Sequence, residues 1–562
     1  MTNPGSKNII RLYLRYIVAY SKGKAENVMK FEAHRGVGTE YPENTFHSVR
    51  AAIEQGYDVI ELDVGVTKDD VFVLLHDDTL NRTVRKADGS AIEEKTNLSE
   101  VTYEELLEYD FGVWFAPKFA KTPVCLMVEA LSAARDAGVK IKIDNKYRRF
   151  TDTQKAKFFE ILAEWQDVAE LTCFDTDMVR EAVNAFPNMN IHYDGLVSDE
   201  ILGEIVKIIP GERLTVWLPY QNKYTTWVKV EFVNEKNIKY IKDRGAKVGV
   251  WILSEYSELE KAERMGADII ETQGQIKPIR NKGIFADMHT HSRNSHDAKF
   301  PVMDICNAEI DAGVKIMAVT DHCDSFLCRD YAGFDMYSNI VASYNEATLA
   351  DKEVGDKCKV LTGIELGEGF WNPAYTKKVL GLVPYDVVIG SVHAVKCPLV
   401  EGKTGTKIAF SQIAWENVSE KEIADFFERY FDDILTCVQT QDIDIMAHLG
   451  CTKGYIVRKK NLNFDLHPYE EKIRKIFEVI IRKGIAMEIS TSPYADTGLF
   501  YPDEWIIKMY REMGGYLITM SSDAHSPKKA GDHFSETAEM LKEMGFKNIF
   551  YYEKRRSYQC TL

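Results

Sequence analysis

The sequence predicts an α/β protein made of two successive parallel barrels, the first a (β/α)8 barrel. Three observations predict it. The chain has 562 residues, too many for one core, and two barrels of ~250 residues would fill it. In each half, short β-like apolar runs recur about a helix apart, and strands alternating with helical stretches imply a parallel, barrel-like sheet. Residues able to do chemistry stand at the carboxyl ends of those runs, where such barrels gather their functional groups.

The chain opens on Lys7-Asn-Ile-Ile-Arg-Leu-Tyr-Leu-Arg-Tyr-Ile-Val-Ala-Tyr20. On a helix, Arg11 and Arg15 share one side while Ile10, Leu14, Ile17 and Val18 share another. The arginines interrupt any signal-peptide apolar core. Residues 1–28 are therefore expected to be an amphipathic segment docking on a barrel, the alternative being a helix lying on a membrane surface.

From Met29 the β-like runs are Phe31–Ala33, Val59–Val64, Val71–Leu75, Lys140–Ile143, Leu171–Phe174, Met189–His192, Leu214–Leu218, Val248–Leu253 and Asp268–Thr272. That is one more than an eight-stranded barrel needs, so one is misread or lies in an excursion. The run ends carry Ala33-His-Arg-Gly36, Glu61-Leu-Asp63, His76-Asp77 and Asp144-Asn-Lys146. Glu61 and Asp63, two apart on a strand, point the same way. Two such charges repel unless a cation sits between them, and oxygen-only ligands suit Mg²⁺ or Ca²⁺. His34 and His76 are imidazoles, the side-chain type suited to general acid–base work near neutrality. Arg35 and Lys146 would neutralise a phosphate.

His34-Arg-Gly, Glu43-Asn-Thr45, Glu61-Leu-Asp63 and His76-Asp-Asp-Thr-Leu-Asn-Arg-Thr83 together resemble the glycerophosphodiester phosphodiesterase family, from about Phe31 to Lys277. The resemblance implies a TIM-type barrel with a small excursion over roughly Asp77–Lys121. It makes Glu61, Asp63 and Asp144 metal ligands, and His34 and His76 the acid–base pair. Arg35, Glu43 and Lys146 become phosphate-binding or network-forming groups. The family usually has Glu-x-Lys where this chain has Asp144-Asn145-Lys146, a carboxylate one methylene shorter.

Gly274-Gln-Ile-Lys-Pro-Ile-Arg-Asn-Lys-Gly283 is polar and contains glycine and proline, which marks a join. The expected domains are 29–280 and 284–562. The second half opens on Asp287-Met-His-Thr-His-Ser-Arg-Asn-Ser-His-Asp297. There His289 and His291, again two apart, present imidazoles from one face of a strand end. The later runs end in Thr320-Asp321-His322, Gly363-Ile364-Glu365, Gly390-Ser391-Val392-His393, Met446-Ala447-His448, Glu488-Ile489-Ser490 and Ser522-Asp523-Ala524-His525, so these side chains should converge.

Asp287-Met-His-Thr-His-Ser, Thr320-Asp-His, Gly390-Ser-Val-His and Ser521-Ser-Asp-Ala-His-Ser526 resemble the polymerase-and-histidinol-phosphatase (PHP) superfamily, in its histidinol-phosphatase-like branch. The resemblance runs from about Ile284 to the C-terminus and implies a distorted (β/α)7 barrel. Its implied ligand set is His289, His291, His296, His322, Glu365, His393, His448, Asp523 and His525, for two to three ions such as Zn²⁺, Mn²⁺ or Fe²⁺. By position, Arg329, Lys453 and Arg458 are candidates for contacting phosphate.

The formal charge of −16 argues against a protein that grips nucleic-acid backbone, and small phosphodiesters and phosphomonoesters are the expected partners. No run of eighteen apolar residues is present, so no membrane span is expected. Ten cysteines without a CxxC pair, several in apolar runs (Cys173, Cys306, Cys437), fit a reducing cytoplasm. The expected function is a bifunctional phosphoesterase. The alternatives are a 3′→5′ exonuclease in the second barrel, or one barrel that has lost its chemistry and serves binding or regulation.

Overall fold

The computed structural model describes residues 29–145, 147–220, 232–283, 285–325, 336–395 and 409–562. The segment 1–28, Lys146 and Arg329 lie outside them. The chain divides into two compact units, Met1–Pro278 and Ile279–Leu562.

The first unit contains β1 (Lys30–His34), β2 (Val59–Val66), β3 (Phe72–Leu74), β4 (Arg85–Lys86), β5 (Tyr109–Asp110), β6 (Lys140–Asn145), β7 (Ala169–Cys173), β8 (Ile191–Tyr193), β9 (Leu214–Pro219), β10 (Lys247–Leu253) and β11 (Ile269–Thr272). Eight of these, β1, β2 and β6 to β11, pair in parallel, and the β1–β2 pairing closes the ring. The supernumerary run is β3, which turns back antiparallel on β2. A separate antiparallel pair, β4 with β5, lies in the expected excursion.

Local chemistry sets the element ends. Thr45 accepts from the Ser48 backbone N–H at 3.3 Å, and that cap starts the helix Phe46–Glu54 directly after β1's loop. The barrel interior departs from the branched apolar filling usual for this architecture. Glu32, Lys142, Glu170, His192 and Glu271 are all buried. Lys142 pairs with Glu32 at 2.5 Å and lies 3.6 Å from Glu271, while its ammonium sits 3.9 Å above the Trp217 ring. Pairing of this kind is what makes buried charge tolerable.

The second unit contains β12 (Ile279–Lys282), β13 (Phe285–Thr290), β14 (Val314–Val319), β15 (Lys359–Gly367), β16 (Val387–Ser391), β17 (Ile445–Met446), β18 (Ala486–Ser490), β19 (Ile518–Ser521), β20 (Asn548–Glu553) and β21 (Arg556–Thr561). Strands β13 to β19 form a closed parallel barrel of seven. Part of the stretch expected as a join is structured: β12 pairs with β21, which pairs with β20. The helix Glu420–Thr440 is capped by Ser419 and buries Ile423, Phe426, Phe427, Tyr430, Phe431 and Ile434, a stripe at helical spacing. Truncating Phe427, fully buried, to alanine would cost about 3–5 kcal/mol.

Candidate functional sites

In the first barrel, β1 is flanked by β2 and β11, and the register sets His34 opposite Glu61 and Asp63 opposite Asp144. His34 Nε2 lies 3.9 Å from Glu61 Oε2 and 4.0 Å from Glu271 Oε1. Glu61 Oε2 accepts the Arg35 backbone N–H at 2.9 Å, and Asp63 Oδ2 accepts from Asn44 Nδ2 at 2.8 Å. Burial, with the charges of Asp63, Glu271 and Asp144 around it, pushes the Glu61 carboxyl well above the ordinary carboxylate range. Crowded carboxylates of this kind are what a hard divalent cation relieves, and the all-oxygen donor set fits Mg²⁺ or Ca²⁺. Burial, helped by Arg35 and Lys142, pulls His34 well below its usual value, toward the neutral imidazole.

A chain of alternating charge joins the other histidine to these carboxylates. His76 Nδ1 is 2.5 Å from Asp77 Oδ1. Arg82 donates from Nε to Asp77 at 2.6 Å and from Nη2 to Glu43 at 2.7 Å. Glu43 also accepts from Arg35 Nη1 at 3.0 Å, and Arg35 Nε lies 3.1 Å from Asp63. So Arg35 and Glu43 stand beside the carboxylates, and Asp77 and Arg82, which have no role assigned from sequence, link them to His76. A cavity of about 660 Å³ in this barrel is lined by Phe46, Tyr103, Leu107 and Val124 among others and includes none of these groups. The converging charges, not the cavity's size, locate the candidate site.

In the second barrel the strand ends converge on Glu365, which is fully buried. His289 Nε2 lies 3.2 Å and His322 Nδ1 2.8 Å from its Oε2, and His393 Nε2 and His448 Nε2 both lie 3.1 Å from its Oε1. Asp523 Oδ1 is 3.2 Å from His291 Nε2. His289 Nε2, His291 Nε2, His322 Nδ1 and Glu365 Oε2 are buried without a hydrogen-bond partner. Their lone pairs meet in groups within 4.8 Å, such as His289, Glu365 and His448, or His291, His322 and His525. Nitrogen and oxygen donors left unpaired in this way fit transition ions. Burial and the neighbouring His525 and His322 push His291 down to about 3, the proton-free form a ligand needs.

The outer nitrogens of several imidazoles are tied down. His289 Nδ1 meets Glu488 Oε1 at 2.7 Å, His291 Nδ1 meets Ser295 Oγ at 3.0 Å, and His393 Nδ1 meets Asp324 Oδ1 at 3.0 Å. His296 stands at the rim, its Nε2 3.9 Å from Asp297 Oδ2, and that oxygen lies 3.2 Å from His525 Nε2. Asp297 and Asp324 were not singled out from sequence; the available signal was adjacency to His296 and His322. A cavity of about 110 Å³ opens on the cluster and is lined also by Tyr455, Arg458 and Tyr501. Arg458 thus faces it. Lys453 instead closes on Asp503, buried, and is not in the cavity wall.

Fold and sites define a chain of two phosphoester hydrolase barrels. Residues 34–273 belong to the glycerophosphoryl diester phosphodiesterase family, and residues 287–492 to a PHP domain. A probable histidinol-phosphatase of Clostridium acetobutylicum is 26% identical over 274 residues, covering 48% of this chain and 97% of that protein. A glycerophosphodiester phosphodiesterase of Caldanaerobacter subterraneus is 35% identical over 114 residues, covering 20% of this chain and 44% of that protein. Among solved structures, a histidinol phosphate phosphatase of Lactococcus lactis complexed with zinc, L-histidinol and phosphate is 21% identical, with a TM-score of 0.41, covering 49% of this chain and 98% of that one.

Proposed function

We propose that the first barrel hydrolyses a glycerophosphodiester-like diester and that the second hydrolyses the resulting, or a related, phosphomonoester to inorganic phosphate. The observation that carries this reading is the pairing of two different constellations in one chain: carboxylates with two imidazoles in the first, a histidine-rich cluster around Glu365 in the second.

In the first barrel Glu61, Asp63 and Asp144 would hold Mg²⁺ or Ca²⁺. Arg35 and Lys146 neutralise the diester's phosphate, with Glu43 keeping Arg35 in place. Of His34 and His76, one takes the proton of the attacking hydroxyl and the other protonates the departing alkoxide. In the second barrel His289, His291, His296, His322, Glu365, His393, His448, Asp523 and His525 would hold two to three Zn²⁺, Mn²⁺ or Fe²⁺ ions. A bound divalent ion supplies Lewis-acid polarisation of the phosphoryl oxygens and lowers the pKa of coordinated water. Arg458, and Arg329 by its place in the sequence, are the cations proposed to receive phosphate.

Among the described residues no helix is long and apolar enough to cross a membrane. The cysteines described there, Cys306 and Cys437 among them, are buried and none is joined in a disulfide, which supports a reducing, cytoplasmic setting. The test is direct. Full-length protein given glycerophosphodiesters and metals should release inorganic phosphate, while the His291→Ala protein should stop at the monoester. If no diester cut by the first barrel yields a monoester that the second cleaves, the serial reading fails.

A further inference from the structure

Glu488 lies in the one β-like run of the second barrel whose residues have no place in the ligand set, and sits at the middle of β18. It is buried on β18, beside the short β17 that leads into His448. Its two oxygens are divided. Oε1 receives His289 Nδ1 at 2.7 Å, and Oε2 accepts the backbone N–H of His448. A single carboxylate therefore ties the His289 imidazole on β13 to the backbone of His448 just after β17, and both residues belong to one candidate metal group, His289 with Glu365 and His448, while His289 also faces His291 and Asp523.

We infer that Glu488 is the positioning residue of the metal position formed with Glu365 by His289 and His448, through those two residues, and makes no contact with the group His291, His322 and His525. The inference rests on the reading of this cluster as a metal centre. Its chemistry follows from proton bookkeeping. Both partners of Glu488 donate, so only a group with two acceptors serves both. With the Nδ1 proton given to Glu488, His289 keeps its Nε2 lone pair free, and that atom faces Glu365 at 3.2 Å without a hydrogen bond. A glutamine has one acceptor and one donor. Either its NH₂ meets the His448 N–H, donor against donor, or it meets His289 Nδ1 and drives the imidazole proton onto Nε2, the ligating atom. Outer-shell carboxylates of this kind typically carry 10–100-fold in metal affinity.

The experiment is metal analysis of full-length wild type, Glu488→Gln and Glu488→Asp, by elemental stoichiometry and by chelator competition with Zn²⁺ or Mn²⁺ as the only added ion. Wild type should hold at least two ions of distinguishable affinity. Both variants should bind one ion about ten- to a hundredfold more weakly and keep at least one other at its wild-type affinity. Aspartate, a methylene shorter, cannot reach both partners, so it tests the same claim with the charge retained. Nitrogen-15 imidazole spectra should show the Nε2–H tautomer of His289 appearing in Glu488→Gln alone. Stoichiometry and affinities equal to wild type in both variants would overturn the inference, as would equal loss of every ion with a general fall in Tm, the mark of a merely structural role. A wild type that holds no ion would overturn the metal-centre reading itself.

Discussion

His322 Nδ1 and Glu365 Oε2 lie 2.8 Å apart, yet both are buried and neither has a hydrogen-bond partner. Two such atoms facing one another out of hydrogen-bonding alignment are costly in a water-free interior, and a cation between donor lone pairs removes that cost.

Stripping metal should therefore destabilise the second barrel. An ion present at a hundredfold its Kd adds about 2.7 kcal/mol to the folded state, which for a unit of this size moves Tm by roughly 5–10 °C. Calorimetry of the full chain before and after chelation, with the ion content measured alongside, checks it. A transition that does not move while ions are lost would contradict the geometry.

The Asp77 carboxylate beside His76 Nδ1 should matter to diester cleavage alone. Although burial opposes it, hydrogen bonds from Arg82 and His76 hold Asp77 down to about 2, so it is a fixed anion at any working pH and orients the imaidazole ring it touches. Asp77→Asn should lower kcat on a glycerophosphodiester by ~10²-fold or more, and phosphate release from a monoester should be unaffected. Equal losses on both substrates would mean that the two sites are not chemically separate.

Much of this was legible in the chain. Side chains two apart on a strand share a face, so Glu61 with Asp63 and His289 with His291 could be placed before any coordinates. The run Val71–Leu75 misled because β3 has the composition of a barrel strand, and only its antiparallel pairing with β2 shows otherwise. Lys142 escaped notice because a lysine in a β-like run reads as a solvated residue. Its partners Glu32 and Glu271 lie far away in sequence and meet it only when the barrel closes. Glu488 was seen as a strand end, but its task depends on two partners from other strands.

The buried pair Glu170 and His192 predicts acid sensitivity of the first barrel. Burial alone would raise Glu170, but hydrogen bonds from His192 and Asn190 hold it down to about 2. His192, pushed down by burial, donates from Nε2 to Glu170 at 2.7 Å and accepts from Trp217 Nε1 at 2.9 Å on Nδ1. A carboxyl whose folded value is depressed adds stability that is complete above its ordinary value of 4.5 and lost as pH falls through about 2. Glu170→Gln should cost on the order of 3 kcal/mol at neutral pH, and the gap to wild type should close as pH falls from 5 toward 2. Urea unfolding at stepped pH measures this; a gap that stays constant with pH would assign the loss to packing instead.

Lys453 and Arg458, five residues apart and so on different faces of the helix Thr452–Lys460, should separate stability from binding. The Lys453 ammonium is buried and closed on Asp503, and removing one partner of a buried ion pair costs about 3–5 kcal/mol because the other is left uncompensated. Arg458 lines the cavity above the cluster, its guanidinium 4.9 Å from the Tyr455 ring, where a phosphate would gain charge-assisted hydrogen bonds. Lys453→Met should therefore lower Tm with KM for a phosphomonoester little changed. Arg458→Ala should raise KM about tenfold, the loss of ~1.4 kcal/mol of binding, with Tm nearly unaltered. Thermal unfolding and steady-state kinetics on the same preparations decide it, and a raised KM in Lys453→Met without loss of Tm would return that lysine to the substrate's surroundings.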